Sequence, residues 1–379
     1  MKILVAPNAF NGTLSSPQAA AAMVRGLARS GLDCQLVEMP IADGGDDTLE
    51  VLTRDGGSVR SSQVQDPLGR PVEAAWGMMA DGRTGVVEMA RASGLALLGP
   101  GRTDPMTAST YGTGQLIAEA IRAGARQIII GLGGSATVDG GAGCLQALGL
   151  RLLDERGQEV SGGGGSLNRV RRIETGGLLK GLAQVRLLVA CDVVNPLLGP
   201  QGAAAVFGPQ KGASPEEVAQ LEANLAHFFG LIQETLGVEV ARLPGSGAAG
   251  GLAAGLAAVA GAELTGGAQL ILDHLGLESR LKEVDLVVTG EGRIDSQTLG
   301  GKGPFVLAEA ARARGLPVVA LAGSLGPDEE ALLGAGFSAI GSIVTGPMGL
   351  EEASAQAAQL LERASARLGR WLALGLSLA

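Results

Sequence analysis

Strand-like apolar runs alternate with helical ones at both ends of this 379-residue chain, while the stretch between them has a different texture. That arrangement constrains the fold more than any other feature. Near the N-terminus, residues 2–6, 17–29 and 34–39 read as strand, helix and strand. Toward the C-terminus, residues 286–289, 318–322 and 339–344 read as strands separated by helices over 304–314 and roughly 350–368. Strands alternating with helices are the pattern of a parallel sheet with crossover connections, so the two ends are expected to share one sheet. The first helix has a cap candidate in Ser16, Pro17 suited to its first turn, an apolar face of Met23, Val24 and Leu27, and a stop at Gly31.

The middle of the chain carries short strands and turns around Asp66-Pro67-Leu68-Gly69 and Asp81-Gly82, and the glycine run 162–165. It also holds a helix over 115–123, strands over 127–130 and 187–190, and a helix over 215–236 whose Ser214, Pro215 and Glu217 spell cap, first turn and capping-box acid. The fold class expected is therefore α/β: a doubly wound, Rossmann-like parallel-sheet domain from residues 1–60 and 285–379, with a second α/β domain, 61–284, inserted into it. The active site is expected in the cleft between the two. The uncharged stretch 243–262 is long enough for a membrane, but its Gly and Ala gain little from lipid, so a tightly packed helix or Gly-rich loop is expected instead.

Composition removes several functions. A net charge of −9 and 2% aromatic residues disfavour nucleic-acid binding. Cys34, Cys144 and Cys191 have neither CxxC nor zinc-ligand spacing. With an N-terminal apolar run too short for a signal peptide, they suggest a reduced, cytoplasmic protein with no membrane partner. Only His227 and His274 are available for a Ser-His-Asp triad or a His-rich metal site. The first is read on a helix, the second in a loop, both in structural or solvent-facing roles.

Chemistry based on carboxylates and phosphate electrostatics remains. Residues 128–143 form an apolar strand followed by a Gly-rich turn, in which the amides of Gly133 and Gly134 and the hydroxyls of Ser135 and Thr137 can converge on an anion. A crowded strand-to-helix turn fits the same spacing, which is neither a Walker nor a dinucleotide motif. Thr113 near a helix start, and Lys211 in the Pro/Gly-bounded turn 207–212, are further phosphate candidates; ordinary capping and a surface lysine are the plainer readings. Asp192, Asp43, Glu291 and Asp295 all follow apolar strands, at the strand ends that line the ligand crevice of parallel sheets. Arg293 and Lys302 flank the last two and can meet a carboxylate or phosphates.

Together these motifs resemble the bacterial glycerate kinase family. The resemblance rests on Ala6-Pro7-Asn8, Pro40-Ile41-Ala42-Asp43-Gly44-Gly45, Glu88-Met89-Ala90, Thr110-Tyr111-Gly112-Thr113-Gly114, GGSATVDGG, Ala190-Cys191-Asp192, Phe207-Gly208-Pro209-Gln210-Lys211-Gly212 and TGEGRIDSQT through Lys302, in that order along nearly the whole chain. It implies ATP- and Mg²⁺-dependent phosphorylation of D-glycerate, with 2-phosphoglycerate favoured over 3-phosphoglycerate. On this reading Asp192, Asp295 and Asp43 are catalytic, Asp192 and Asp295 also meeting Mg²⁺. Gly133, Gly134, Ser135, Thr137, Lys211 and Thr113 take the nucleotide phosphates, and Arg293, Lys302 and Glu291 take the substrate. Asn11, Asp47, Val138 and Val194 stand where the family pattern has Lys, Gly, Asn and Asp. The alternatives are a kinase for another small hydroxy acid and a non-catalytic binder of small ligands, and the reading leaves room for a homo-oligomer.

Overall fold

The computed structural model describes residues 1–99, 101–296, 298–327 and 329–378. The chain divides into two compact units, Met1–Asp43 with Ala268–Ala379, and Gly44–Gly267.

The first unit is built on a five-stranded, wholly parallel sheet in the order Ala339–Ser342, Val318–Leu325, Leu286–Ile294, Lys2–Val5, Gln35–Glu38. Both faces are covered, which is why its strands are apolar without alternation. Ile3, Val5, Leu286 and Val288 meet Met23, Leu27, Leu361 and Ala364 of helices Ser16–Ala28 and Ala357–Leu378. Leu4 and Val287 point the other way, into a core with Leu272, Leu277, Leu307 and Ala311. The expected doubly wound sheet is therefore present. Chain order runs outward in both directions from the neighbouring strands Lys2–Val5 and Leu286–Ile294. This is the topological switch point, where the carboxyl ends of an α/β sheet open a crevice.

Local details differ from the sequence reading. The first helix is capped by Ser15, not Ser16: the Ser15 hydroxyl accepts from the Gln18 amide while the Gln18 side chain accepts from the Ser15 amide. Strand Leu286–Ile294 runs five residues beyond 289, so Glu291 and Arg293 lie on it, paired with Ala322 and Ser324. The strand runs through Gly290 and Gly292, and Gly290 lets the Leu321 carbonyl approach where a Cβ would intrude. The helix expected over 350–368 is two, Leu350–Ala355 and Ala357–Leu378. His274 ends helix Gly267–His274 with Nδ1 2.8 Å from the Leu270 carbonyl, rather than lying in a loop.

The second unit holds a six-stranded sheet in the order Glu263–Thr265, Arg186–Ala190, Gln127–Gly131, Thr84–Glu88, Pro71–Met78, Ser58–Gln65. The first four strands are parallel and the last two join antiparallel. The turns at Asp66 and Asp81 connect those antiparallel strands, each aspartate accepting from backbone amides two and more residues on. Ile128, Ile130, Leu187 and Val189 bury against Leu116 and Ile117; a second core forms around Leu221, Leu225 and Phe228 of helix Pro215–Leu236, which has the Ser214–Glu217 capping box. The stretch 243–262 becomes helix Ala248–Ala260, with Ala249, Gly250 and Gly251 in left-handed conformation. Among the described residues no helix is long and apolar enough to cross a membrane.

The units divide 17 residues before each boundary drawn from the sequence at 60 and 285. Helix Thr48–Thr53 belongs to the second unit because its Leu49 amide donates to Glu88 at 2.7 Å and Leu49 packs at Gly77. Helices Gly267–His274 and Leu277–Leu281 give Leu272, Leu277 and Leu281 to the first unit's core.

Candidate active site

The first unit opens a cleft of about 420 Å³ at its switch point. One wall is polar, made by Asn8, Asn11 and Asp43 from the segments after the first two strands and by Glu291, Arg293 and Lys302 from the third. The other is apolar, with Phe10, Ile343, Val344 and Leu360. The position follows from topology: Asn8 continues the pairing of its strand, its amide donating to the Gly290 carbonyl at 2.8 Å, which leaves its side chain beside Glu291's strand. Asn8 Nδ2 donates to Asp43 Oδ2 at 3.0 Å, and Asn8 Oδ1 accepts from the Ala9 amide at 2.9 Å, so the amide orientation is fixed at both ends.

Glu291 is the most perturbed acid of this cleft. It is 5% exposed, accepts from the Thr298 hydroxyl at 2.8 Å and faces Lys302 Nζ at 3.9 Å. Burial pushes its carboxyl up to about 7; the Asp43 and Asp295 charges push the same way, while Lys302 and Thr298 oppose. Asp295 accepts from Arg293 Nε at 2.7 Å, and its amide donates to Thr298 Oγ1 at 3.3 Å. Asp43, Glu291, Asp295, Arg293 and Lys302, read separately from sequence, thus form one electrostatic group. Such a group can take a proton from a hydroxyl and hold a small carboxylate.

The Gly-rich motif of the second unit is arranged differently from an open cradle. Asp139 is buried and accepts from Thr110 N and Oγ1 at 2.8 Å, Gly141 N at 3.0 Å and Gly143 N at 3.2 Å, so a side chain of the motif itself fills the amide nest before helix Ala142–Ala147. Burial still raises its carboxyl above the ordinary range. Gly133 donates to the Gly44 carbonyl at 3.3 Å and Ala136 to that of Ser93 at 2.9 Å. Gly134 is exposed and Ser135 half-buried at the tip. Thr137 is enclosed and its hydroxyl has no partner among the described residues; Thr113 is likewise enclosed and donates to Ser93 Oγ at 2.8 Å.

Lys211 is 1% exposed, not a surface lysine, and its Nζ donates to Ser135 Oγ and the Thr137 carbonyl, both at 2.7 Å. Burial pulls its ammonium down to about 7, against the attraction of Asp139. Lys211 therefore positions Ser135. Asp192 follows strand Arg186–Ala190 as expected, and its Oδ1 accepts from the Gly267 amide at 2.6 Å.

Among the described residues no three His, Cys, Asp or Glu side chains group to hold a metal ion by themselves. Asp43 and Asp295 suit an ion that arrives with phosphate oxygens and needs only one or two carboxylates. Three contributors escaped the sequence reading as site residues: Asn8, Thr298 and Asp139. Asn8 follows the first apolar strand, the same signal that singled out the acids. Nothing in the sequence marks Thr298 as the partner of Glu291.

The chain was compared with known proteins. A family model described as the Glycerate kinase family matches residues 3–373. Glycerate kinase of Bacillus subtilis (strain 168) is 46% identical over 364 residues, covering 96% of this chain and 95% of the relative. Glycerate 2-kinase of Escherichia coli (strain K12) is 44% identical over 377 residues, 99% of each. The crystal structure of a Salmonella typhimurium LT2 protein assigned as glycerate kinase 2 superposes with a TM-score of 0.89 at 42% identity, covering 100% of this chain and 99% of that one.

Proposed function

The chain belongs to the glycerate kinase family, and on that premise we propose that it transfers the γ-phosphoryl group of ATP to the 2-hydroxyl of D-glycerate, giving 2-phosphoglycerate and ADP. The observation that carries the assignment of residues is the cleft of the first unit, where buried Glu291 lies between Lys302 and two aspartates. The relative named a glycerate 2-kinase supports the 2-position.

Glu291 accepts the hydroxyl proton as the hydroxyl oxygen bonds to the γ-phosphorus and the bond to the β-phosphate oxygen breaks. A base is most effective with a pKa near the working pH, and Glu291 is poised there by burial. Lys302 and Arg293 hold the glycerate carboxylate. Asn11 lines the cleft where the family pattern has lysine, so those two carry the positive charge of this wall. Mg²⁺, when bound, neutralises phosphate charge; Asp43 and Asp295 would hold it. The tip at Gly134 and Ser135, backed by Lys211, is the second unit's candidate for nucleotide phosphates, and Asp192 remains its candidate catalytic carboxylate.

The reading is tested by following ADP formation with and without D-glycerate and Mg²⁺, and by the phosphorus NMR spectrum of the product. ADP should appear only with both additions, and the product should carry phosphate on the 2-oxygen. No glycerate-dependent ADP from folded protein would refute the reaction; phosphate on the 3-oxygen would refute the position alone.

A further inference from the structure

We propose that a second cleft of the first unit, of about 580 Å³ and walled by Arg29, Arg363, Arg367 and Arg370, binds a small anion carrying two phosphoryl groups.

The cleft is a consequence of close helix packing. Gly26 of helix Ser16–Ala28 lies where a Cβ would run into the Glu362 carbonyl, and Gly369 leaves room for the Ser30 side chain just beyond that helix. The close approach at Gly26 leaves a fixed valley beside the contact, so the floor is pre-formed and little ordering is needed on binding. Arg363, Arg367 and Arg370 follow the i, i+4, i+7 spacing of one helix face and point along this valley.

Their charges are uncompensated. Glu362, the one acid in the wall, already accepts from Arg25 at 3.0 Å and from Arg29 at 2.5 Å. Among the described residues, Arg363, Arg367 and Arg370 make no hydrogen bond or ion pair, whereas Arg122, Arg151 and Arg186 elsewhere each have a glutamate within 2.6–3.0 Å. Like charges at helical spacing repel, and this happens in a chain of net charge −9. Four arginines facing one glutamate leave a surplus of about three positive charges, which two phosphoryl groups of about −1.5 to −2 each would match. Guanidinium forks bind phosphate oxygens bidentately, and their spread over two helical turns suits a diphosphate better than a single phosphate.

Calorimetric titration with pyrophosphate, without Mg²⁺ and at low salt, tests the assignment. Saturable binding is expected in the native chain. It should weaken at least tenfold in Arg363→Gln/Arg367→Gln, partly recover in Arg363→Lys/Arg367→Lys, and persist in Lys302→Met, which alters the other cleft. Glycerate-dependent turnover of the Gln double variant, measured without pyrophosphate, should match the native enzyme. Absence of saturable binding, or binding lost in Lys302→Met but untouched by the arginine variants, would overturn the proposal. So would binding to phosphatidylserine vesicles with none to pyrophosphate.

Discussion

Replacing Glu291 by Gln should make the protein more stable and nearly inactive, and the stability gain should depend on pH. Glu291 has an ordinary value of 4.5, and burial carries its folded value to about 7. Below about pH 4.5 the group is protonated in folded and unfolded chains alike and contributes nothing. Between 4.5 and about 7 the unfolded chain releases the proton while the folded chain retains it, so stability falls as pH rises through that window. A difference of two to three pKa units corresponds to roughly 3 kcal/mol above pH 8. That figure already contains the opposing pull of Lys302 at 3.9 Å, which solvent weakens because the Lys302 side chain is 39% exposed, so burial and the two aspartates prevail. Gln has the same shape, keeps an oxygen for the Thr298 hydroxyl and never ionises. Thermal unfolding at pH 5 and pH 8 should show little difference at the first and a midpoint higher by on the order of 5–10 °C at the second. Turnover should fall by roughly 10²–10⁴-fold. A variant less stable than the native chain at pH 8, or a gain equal at both pH values, would refute the reasoning.

In native enzyme the ascending limb of kcat against pH should inflect near 7, where Glu291 loses its proton; a flat profile from pH 6 to 8 removes it as the base. Lys302→Met should raise the KM for glycerate about tenfold or more with a smaller change in kcat, since it removes a charge that holds substrate; steady-state kinetics decide, and an unchanged KM rejects the contact. Asp192→Asn retains an acceptor for the Gly267 amide, so kcat should drop on the order of 10²-fold with the unfolding midpoint unmoved; normal turnover with a lowered midpoint would leave Asp192 a turn-capping residue only. Gly250→Ala should cost about 2–4 kcal/mol in urea unfolding, because Gly250 has φ 68° and its Cβ would meet the Thr137 carbonyl; a loss below about 1 kcal/mol contradicts that packing.

The sheet of the first unit was legible because strands covered on both faces are written as short apolar runs, and those at 286–289 and 318–322 stood out from charged neighbours. What was not legible is where glycine continues a strand instead of ending it. Gly290 and Gly292 look like punctuation, yet the strand continues through both, Gly290 letting the Leu321 carbonyl approach, and Glu291 and Arg293 are held on it. The same ambiguity governs the second unit. The density of glycine in 128–143 suggests amides turned toward a ligand, but much of it serves close packing against the Gly-rich stretch 243–262: Gly250 meets Thr137, and Gly251 and Gly255 meet Gly140. A motif rich in glycine states that something comes close; whether that is a phosphate or another stretch of backbone is decided by residues far away in sequence. Asp47 shows the converse. It stands where the family pattern has glycine, and its φ of 67° shows why: the position is left-handed, and aspartate is among the few side chains that tolerate it.

The candidate catalytic acids illustrate a limit that comes from electrostatics. Sequence position placed Asp43, Asp192, Glu291 and Asp295 alike at strand ends, and strand ends do predict a crevice. They do not predict which carboxyl is desolvated. That depends on burial and on Lys302, Thr298 and Asp43, which act on Glu291 from segments 11, 7 and 248 residues away and lower or raise its proton affinity by amounts no local pattern encodes. Asp295, two positions from Arg293, is paired with it at 2.7 Å. Glu291 has a lysine only at 3.9 Å and 5% exposure. A paired acid is suited to holding an ion or orienting a cation, whereas a buried and weakly paired one exchanges protons near neutral pH. The division of labour within one cleft thus follows from solvent access, with the acid least open to water as the one best fitted to receive the proton of a hydroxyl.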